Sequence, residues 1–282
     1  NKNLPELPEI ETIKIGLREV IFGRQILSTR VIRRDLRFPI PKKLEKIVSN
    51  LKILDIERRS KYLVLQLSNN FSLIFHLGMS GKLIISFDKD NEEQVFQKHD
   101  HIIFFLEGKT KLILNDARRF GFVDLIKDKP EFYHRFSHIG PEPLGKNFNN
   151  TYLEAKLKNS ERNIKNILMD QKIVAGLGNI YVTEALWGSK INPKRLGKNI
   201  NEVDRINLIK SIKKVLKKAI CYGGTSLKDF RKVGGEFGYF QNKLNAYGKD
   251  NKQCSRIKCQ GEISKVFISG RSCFFCTVCQ KK

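Results

Sequence analysis

Eight short apolar runs, each closed by turn residues, fill the chain from Ile26 to Ile126, and they leave little room there for anything but antiparallel sheet. They are Ile26 to Ile32, Leu51 to Ile56, Tyr62 to Leu67, Leu73 to Leu77, Leu83 to Phe87, His101 to Leu106, Lys111 to Leu114 and Phe122 to Ile126, with Asn69-Asn70 and Glu107-Gly108 as the clearest turns. Strands this short and this closely spaced predict a β-sandwich or a barrel. Ahead of them, Ile10, Ile13, Leu17, Val20 and Ile21 fall on one helical face, with Pro8 in the first turn and Gly23 as a stop. The segment Gly140-Pro141-Glu142-Pro143-Leu144 ends the strand pattern, and helices are predicted over Tyr152 to Leu157, Ile164 to Met169, Ile180 to Trp187 and Glu202 to Ile220. The expected division is 1–140, a β domain with an opening helix; 141–250, a helical domain; and 251–282, a small cysteine-bearing module.

A chain of 282 residues with 40% hydrophobic content is long enough to bury two modest cores. Its 53 Lys and Arg against 29 Asp and Glu leave a formal charge of +24, which calls for a polyanionic partner, nucleic acid first and an anionic membrane second. No run of about 18 apolar residues is present to span a bilayer, and no apolar leader opens the chain, so a cytoplasmic location is expected.

Five of the six cysteines lie between 254 and 279. Cys254-x4-Cys259 and Cys276-x2-Cys279, separated by 16 residues, have the spacing of two knuckles on one tetrahedral zinc. Four thiolates leave no position open for water, so this single Zn2+ is read as structural. Glu262 to Ile268 and Cys273 to Phe275 would form a hairpin turning at Ser269-Gly270, too small to fold without the metal. Cys273-x2-Cys276 is a second possible knuckle that would leave Cys279 free; Cys221, standing apart, reads as a buried thiol.

The segment Leu4-Pro5-Glu6-Leu7-Pro8-Glu9 carries the most pointed chemistry. A proline at a true N-terminus is a secondary amine, able to attack an aldehyde-level carbon and form an iminium, and the adjacent Glu6 can move protons beside it. Glu9 reads as support for the helix and site, or simply as a first-turn acid favoured by the helix dipole.

Taken together, these and further motifs resemble the bacterial formamidopyrimidine-DNA glycosylase family, over essentially the whole chain. The resemblance rests on Pro5-Glu6-Leu7-Pro8-Glu9-Ile10-Glu11-Thr12, Ser60-Lys61-Tyr62-Leu63, His76-Leu77-Gly78-Met79-Ser80-Gly81 and Lys98-His99-Asp100-His101. It continues through Asp116-Ala117-Arg118-Arg119-Phe120-Gly121, Ala175-Gly176-Leu177-Gly178-Asn179-Ile180-Tyr181, Gly223-Gly224-Thr225-Ser226-Leu227, Tyr239-Phe240, Tyr247-Gly248-Lys249 and Gly270-Arg271-Ser272. It implies an α+β multidomain fold: an N-terminal β-sandwich with an N-terminal helix, then a helix-two-turn-helix domain with a zinc finger, and double-stranded DNA lying between them. The implied activity excises oxidised purines, 8-oxoguanine or formamidopyrimidines, and then cuts the backbone at the abasic site by β- and δ-elimination. The implied protein is a monomer, not membrane-bound, whose partner is duplex DNA carrying oxidised purines or abasic sites.

The family match gives Pro5 the nucleophilic role and Glu6 the proton transfer, with Lys61 and Arg271 completing the catalytic set as phosphate contacts. Met79, Arg118 and Phe120 are implied to fill the gap left by the flipped nucleotide; the plainer reading of Met79 and Phe120 is a core position. His99, Arg118, Asn179, Lys61 and Arg271 are the implied DNA contacts, while Thr225, Ser226 and Tyr239 belong to the segment implied to cover the damaged base. His76 and His101, like His99, alternate with strand residues and read as structural rather than catalytic.

The chain departs from the family pattern in Asn1 to Leu4 ahead of the proline, in the four-residue spacer of Cys254-x4-Cys259, and in Cys273. The first departure is expected to arise from an alternative start codon at Leu4. If Pro5 is instead blocked, the alternative is a lesion-binding protein without catalysis; a zinc-ribbon RNA-binding protein is a third reading, opposed by the Pro-Glu motif.

Overall fold

Strict alternation in Thr110–Asp116 places Thr110, Leu112, Leu114 and Asp116 on the buried side and the residues between them toward solvent, as a strand with one covered face requires. In the neighbouring strand, His101 to Phe104 are buried on both faces. These two strands belong to the computed structural model of the protein, which describes residues 5–87, 96–127, 130, 133–225 and 239–281. The described chain divides into two units: residues up to Ser137 with Thr225, and His138 to Gly224 with Tyr239 onward.

The first unit opens with α1 (Leu7–Ile21) and α2 (Leu44–Val48) and contains β1 (Ile26–Val31), β2 (Ile53–Arg59), β3 (Tyr62–Leu67), β4 (Phe71–His76), β5 (Gly81–Phe87), β6 (Asp100–Leu106), β7 (Thr110–Asp116) and β8 (Phe122–Lys127). Two antiparallel four-stranded sheets result, in the orders β1-β6-β7-β5 and β2-β3-β4-β8. Of the two architectures open to the sequence, the sandwich is the one formed. One cluster joins the inner faces, with Ile53, Leu63, Leu65 and Phe75 from one sheet against Ile102, Phe104, Leu112 and Leu114 from the other. Phe75 meets Phe104 edge-on at 6.1 Å between ring centroids. The apolar face of α1, carrying Ile10, Ile13, Leu17 and Ile21, closes the same core over β2 and β3.

The second unit contains α3 (Asn150–Leu157), α4 (Ile164–Met169), α5 (Asn179–Gly188) and α6 (Glu202–Cys221), followed by the hairpin β9 (Ile263–Ile268) and β10 (Arg271–Cys276). Three asparagines start three of these helices: the side chains of Asn149, Asn163 and Asn201 accept from the N–H groups of Tyr152, Asn166 and Asp204 at 2.8–2.9 Å. Along α6, Leu208, Ile212, Leu216 and Ala219 form the buried stripe. Cys221 lies off that stripe and is exposed, which corrects its reading as a buried thiol.

Candidate active site and metal centre

Pro5 and Glu6 are both buried at the start of α1. Glu6 is the N-cap, with extended backbone, and its N–H donates to Glu9 Oε2 at 3.0 Å, the return half of a capping box. The other oxygen of Glu9 accepts twice from Thr225, from its N–H at 2.8 Å and from its Oγ1 at 2.9 Å. Glu9 is therefore more than a first-turn acid: a single buried carboxylate fixes both the turn carrying Glu6 and the residue at which the segment after Gly224 begins. Of the residues expected in that segment, Thr225 is held by Glu9, Tyr239 is 59% exposed with its N–H on the Tyr222 carbonyl, and Ser226 lies outside the described residues.

Lys61 sits on the two-residue turn between β2 and β3, where Ser60 takes a left-handed conformation at φ 56°. Arg58 bolts this turn to α1, its Nε on Glu11 Oε2 at 2.7 Å and its guanidinium on the Ser60 carbonyl at 2.9 Å. Burial pushes the Glu11 carboxyl up, but Lys14 and Arg58 outweigh it and hold the group below the usual carboxylate range. His76, stacked on Phe122 and beside Tyr62, is pushed down to about 4, chiefly by burial, with the positive charge of Lys61, Arg37 and Arg135 adding to it. A neutral imidazole there accepts from the Gly78 N–H, while His101 pairs with the Asp116 carbonyl at 2.7 Å. These two histidines hold backbone. His99 is exposed, with φ 83°, at the start of β6.

Met79, Arg118 and Phe120 occupy two neighbouring loops, 77–81 and 116–121. Asp116 organises both: its buried carboxylate accepts from Ser80 Oγ, from the Gly121 N–H at 2.8 Å and from the Arg118 N–H at 3.2 Å. The loops approach so closely that a Cβ on Gly78, at φ 58°, would lie 2.4 Å from the Phe120 carbonyl carbon. Phe120 is 43% exposed with the Arg118 guanidinium 4.5 Å above its ring, and Met79 is half-buried. The core reading of Phe120 is thereby excluded. An exposed aromatic ring backed by a planar cation is suited to stacking against bases.

In the second unit, Asn179 is the first residue of α5 and donates through Nδ2 to the Ser272 carbonyl at 2.9 Å, while its buried Oδ1 has no partner among the described residues. Lys165, 1% exposed, donates to the same carbonyl at 2.9 Å. Asn166 reaches Ser269 Oγ at 2.8 Å, so three donors fix the tip of the β9–β10 hairpin. Arg271 stands exposed beside them on a shallow depression of 350 Å³ shared with Arg162, Lys165 and Asn166, a basic surface suited to phosphate. Lys165 carried no signal in the sequence, where it merely interrupts an apolar run.

The sulfurs of Cys254, Cys259, Cys276 and Cys279 all lie within 4.8 Å of one another. Tetrahedral zinc with Zn–S bonds of 2.3 Å requires S···S separations of about 3.8 Å, and the pairs Cys259–Cys276 and Cys254–Cys279 stand at 3.6 and 4.0 Å. The donor set therefore fits the metal. Cys279 is pushed up to about 12, by burial first and by its sulfur neighbours, a cost that a bound cation would remove by taking the thiolate. Cys273 is buried outside this cluster and faces Lys165, so the rival knuckle does not form. Burial raises the Cys273 thiol, and burial lowers the Lys165 ammonium.

Residues 4–123 match the family model for the formamidopyrimidine-DNA glycosylase N-terminal domain, and residues 139–231 match that for the formamidopyrimidine-DNA glycosylase H2TH domain. Curated relatives named formamidopyrimidine-DNA glycosylase include one from Zymomonas mobilis, 44% identical over 99% of this chain and 100% of its own length. Another, from Cereibacter sphaeroides, is 41% identical with the same coverage. Among solved structures, Lactococcus lactis Fpg in complex with abasic-site DNA is 36% identical, covers 98% of this chain and 100% of its own, and superposes with a TM-score of 0.88. The wild-type Lactococcus lactis protein with N7-benzyl-Fapy-dG DNA is 38% identical over 99% of this chain and 100% of its own, also at 0.88.

Proposed function

Because this chain belongs to the formamidopyrimidine-DNA glycosylase family, we propose that its buried Pro5-Glu6 turn is the reacting centre of a DNA repair enzyme. The protein is a glycosylase and abasic-site lyase that acts on oxidised purines through Schiff-base chemistry.

A base stacked in duplex DNA hides its glycosidic bond, so the damaged nucleotide is first extruded, at a cost of a few kcal/mol. Phe120, Arg118 and Met79 occupy the vacated stack. With its nitrogen free, Pro5 attacks C1′ of the sugar; the bond to the base breaks and Glu6 delivers a proton to the ring oxygen as the sugar opens. The resulting iminium draws electrons from the C2′–H bond, and loss of that proton expels the 3′ phosphate. A second elimination expels the 5′ phosphate. Lys61, Asn179, Arg271 and His99 hold the phosphates of the strand, and Thr225 and Tyr239 contribute donors to recognition of the damaged base. Cys254, Cys259, Cys276 and Cys279 would hold one Zn2+, which would supply a closed structural node for the hairpin bearing Arg271.

The observation that carries this assignment is the Glu6–Glu9–Thr225 chain of buried hydrogen bonds, which immobilises the proline turn. Borohydride trapping on a duplex with 8-oxoguanine opposite cytosine, followed by peptide mapping, tests it. A cross-link on Pro5 is expected. A cross-link on lysine moves the nucleophile elsewhere, and tight lesion binding with no cross-link at all establishes the blocked, binding-only protein.

A further inference from the structure

At the C-terminal end of α5 the second unit opens into a concavity of 630 Å³ that none of the assigned DNA contacts touches. Six cations line it: Lys190, Lys210, Lys214, Lys218, Lys243 and Arg256. The acidic side chain on its wall is Glu184, which is buried and already accepts from the N–H groups of Asn245, Ala246 and Tyr247 at 2.8–2.9 Å. Among the described residues, the side chains of Lys190, Lys210, Lys214 and Lys218 have no ion-pair or hydrogen-bonding partner, and all four are exposed. Like charges gathered without counterions cost free energy unless a ligand of opposite sign is recruited.

The geometry narrows that ligand. Lys210, Lys214 and Lys218 stand at successive i, i+4 positions along α6, a row with steps of about 6 Å. An extended peptide presents every second side chain on one face, about 6.7 Å apart, so alternate acids along such a peptide match the row. The floor of the concavity includes Trp187, Val215 and Phe240, and Arg256 lies 4.5 Å over the indole of Trp187 and donates to the Trp187 carbonyl at 2.7 Å. A duplex is too wide to enter a concavity of 630 Å³, and its sugar-phosphate backbone offers the floor no apolar side chain. A peptide with an apolar residue among its acids satisfies the charges and the floor together. Asn179 sits at the other end of the same ten-residue helix, about 15 Å away along its axis.

We propose that this concavity is a docking site for an extended acidic peptide segment of a partner protein, one that carries an apolar anchor among alternating carboxylates.

Fluorescence anisotropy on the zinc-loaded full chain tests this with a labelled octapeptide in which Asp alternates with Gly ahead of a terminal Leu-Phe. The same peptide with Asn for Asp controls for charge, and a lesion-free duplex is titrated in parallel. The triple variant Lys210→Glu, Lys214→Glu, Lys218→Glu is expected to weaken the Asp peptide about tenfold or more, with duplex affinity and borohydride trapping unchanged. A second triple variant, Lys42→Glu, Lys46→Glu, Lys52→Glu, removes the same charge from the exposed surface of the first unit and is expected to leave peptide binding intact. No binding of the Asp peptide by the wild type, equal binding of the Asn peptide, or equal losses in the two triple variants overturns the proposal. Loss of duplex binding in the α6 variant with the peptide unaffected overturns it as well, and assigns the row to DNA.

Discussion

The sandwich and the cysteine hairpin each present an arginine to solvent, Arg118 and Arg271, but they support it by different means. Behind Arg118 stands an apolar cluster spanning both sheets and α1, with Asp116 tying the loop to that mass. Behind Arg271 stands a cluster of five buried residues, four of them in the small module and two of those cysteines of the metal set, together with the grip of Lys165 and Asn179 on Ser272. Apolar area scales with the size of a module, so the larger unit can hold a loop by burial and the smaller one needs ligand bonds.

Chelation is the strongest way to break this contrast. Apparent metal-binding free energies in such sites are about 10–16 kcal/mol, so stripping the metal is expected to unfold residues 254–279 and abolish tight DNA binding. Amide exchange would show protection lost in the hairpin and retained in β6 and β7; simultaneous loss in both would mean the two supports are not independent. Next in size, Phe75→Ala should cost about 3–5 kcal/mol in urea unfolding, because it removes one half of the Phe75–Phe104 contact across the sandwich. A smaller value would show that the sheets collapse onto the cavity.

Asp116→Ala strips the Ser80 hydroxyl and the Gly121 N–H of their acceptor, leaves the Arg118 N–H only Ser80 Oγ, and is expected to cost about 2–4 kcal/mol. Its distinguishing sign is a loss of base extrusion, followed by 2-aminopurine fluorescence, larger than the fall in stability predicts. An extrusion signal matching the wild type would detach Arg118 and Phe120 from that role. For His76 the direction follows from its value of about 4 in the folded chain against an ordinary 6.5. The unfolded chain takes up the proton first, so stability is complete above about 6.5 and is lost as pH falls toward about 4, by at most about 3 kcal/mol. Comparing urea midpoints at pH 7 and pH 5 for the wild type and His76→Phe checks this: the variant should show the flatter pH response. Smallest of all, Arg162→Ala removes a partly exposed ion pair to Asp170 and should change stability by no more than about 1 kcal/mol, although it sits on the depression beside Arg271. A double-mutant cycle with Asp170→Ala isolates the pair.

Sequence pattern and structure agree where a periodicity is local. The run at Lys111 to Leu114, the stripe of Ile10, Ile13 and Leu17, and the hairpin turn at Ser269-Gly270 all reappear, with strand ends moved by at most three residues. What could not be read locally was the partner of a polar group. Asp116 stood inside a recognised motif without a role, because its donors come from two loops brought together by the sheets. Lys165 is hidden for the same reason, and Cys273 has knuckle spacing identical to Cys276's; only the facing of its strand turns it toward Lys165 and away from the metal set. Arg118 and Phe120 show the converse, since spacing alone would have put the ring in a core that it does not enter.

The close approach at Gly78 has a consequence for heredity. Every missense change in its codon, whatever nucleotide is altered, introduces a Cβ into the space that the Phe120 backbone fills. The two loops are far apart in the gene, yet a single inherited error at this codon displaces both together, and no second change in the neighbouring side chains can restore the fit, because the obstacle is main chain.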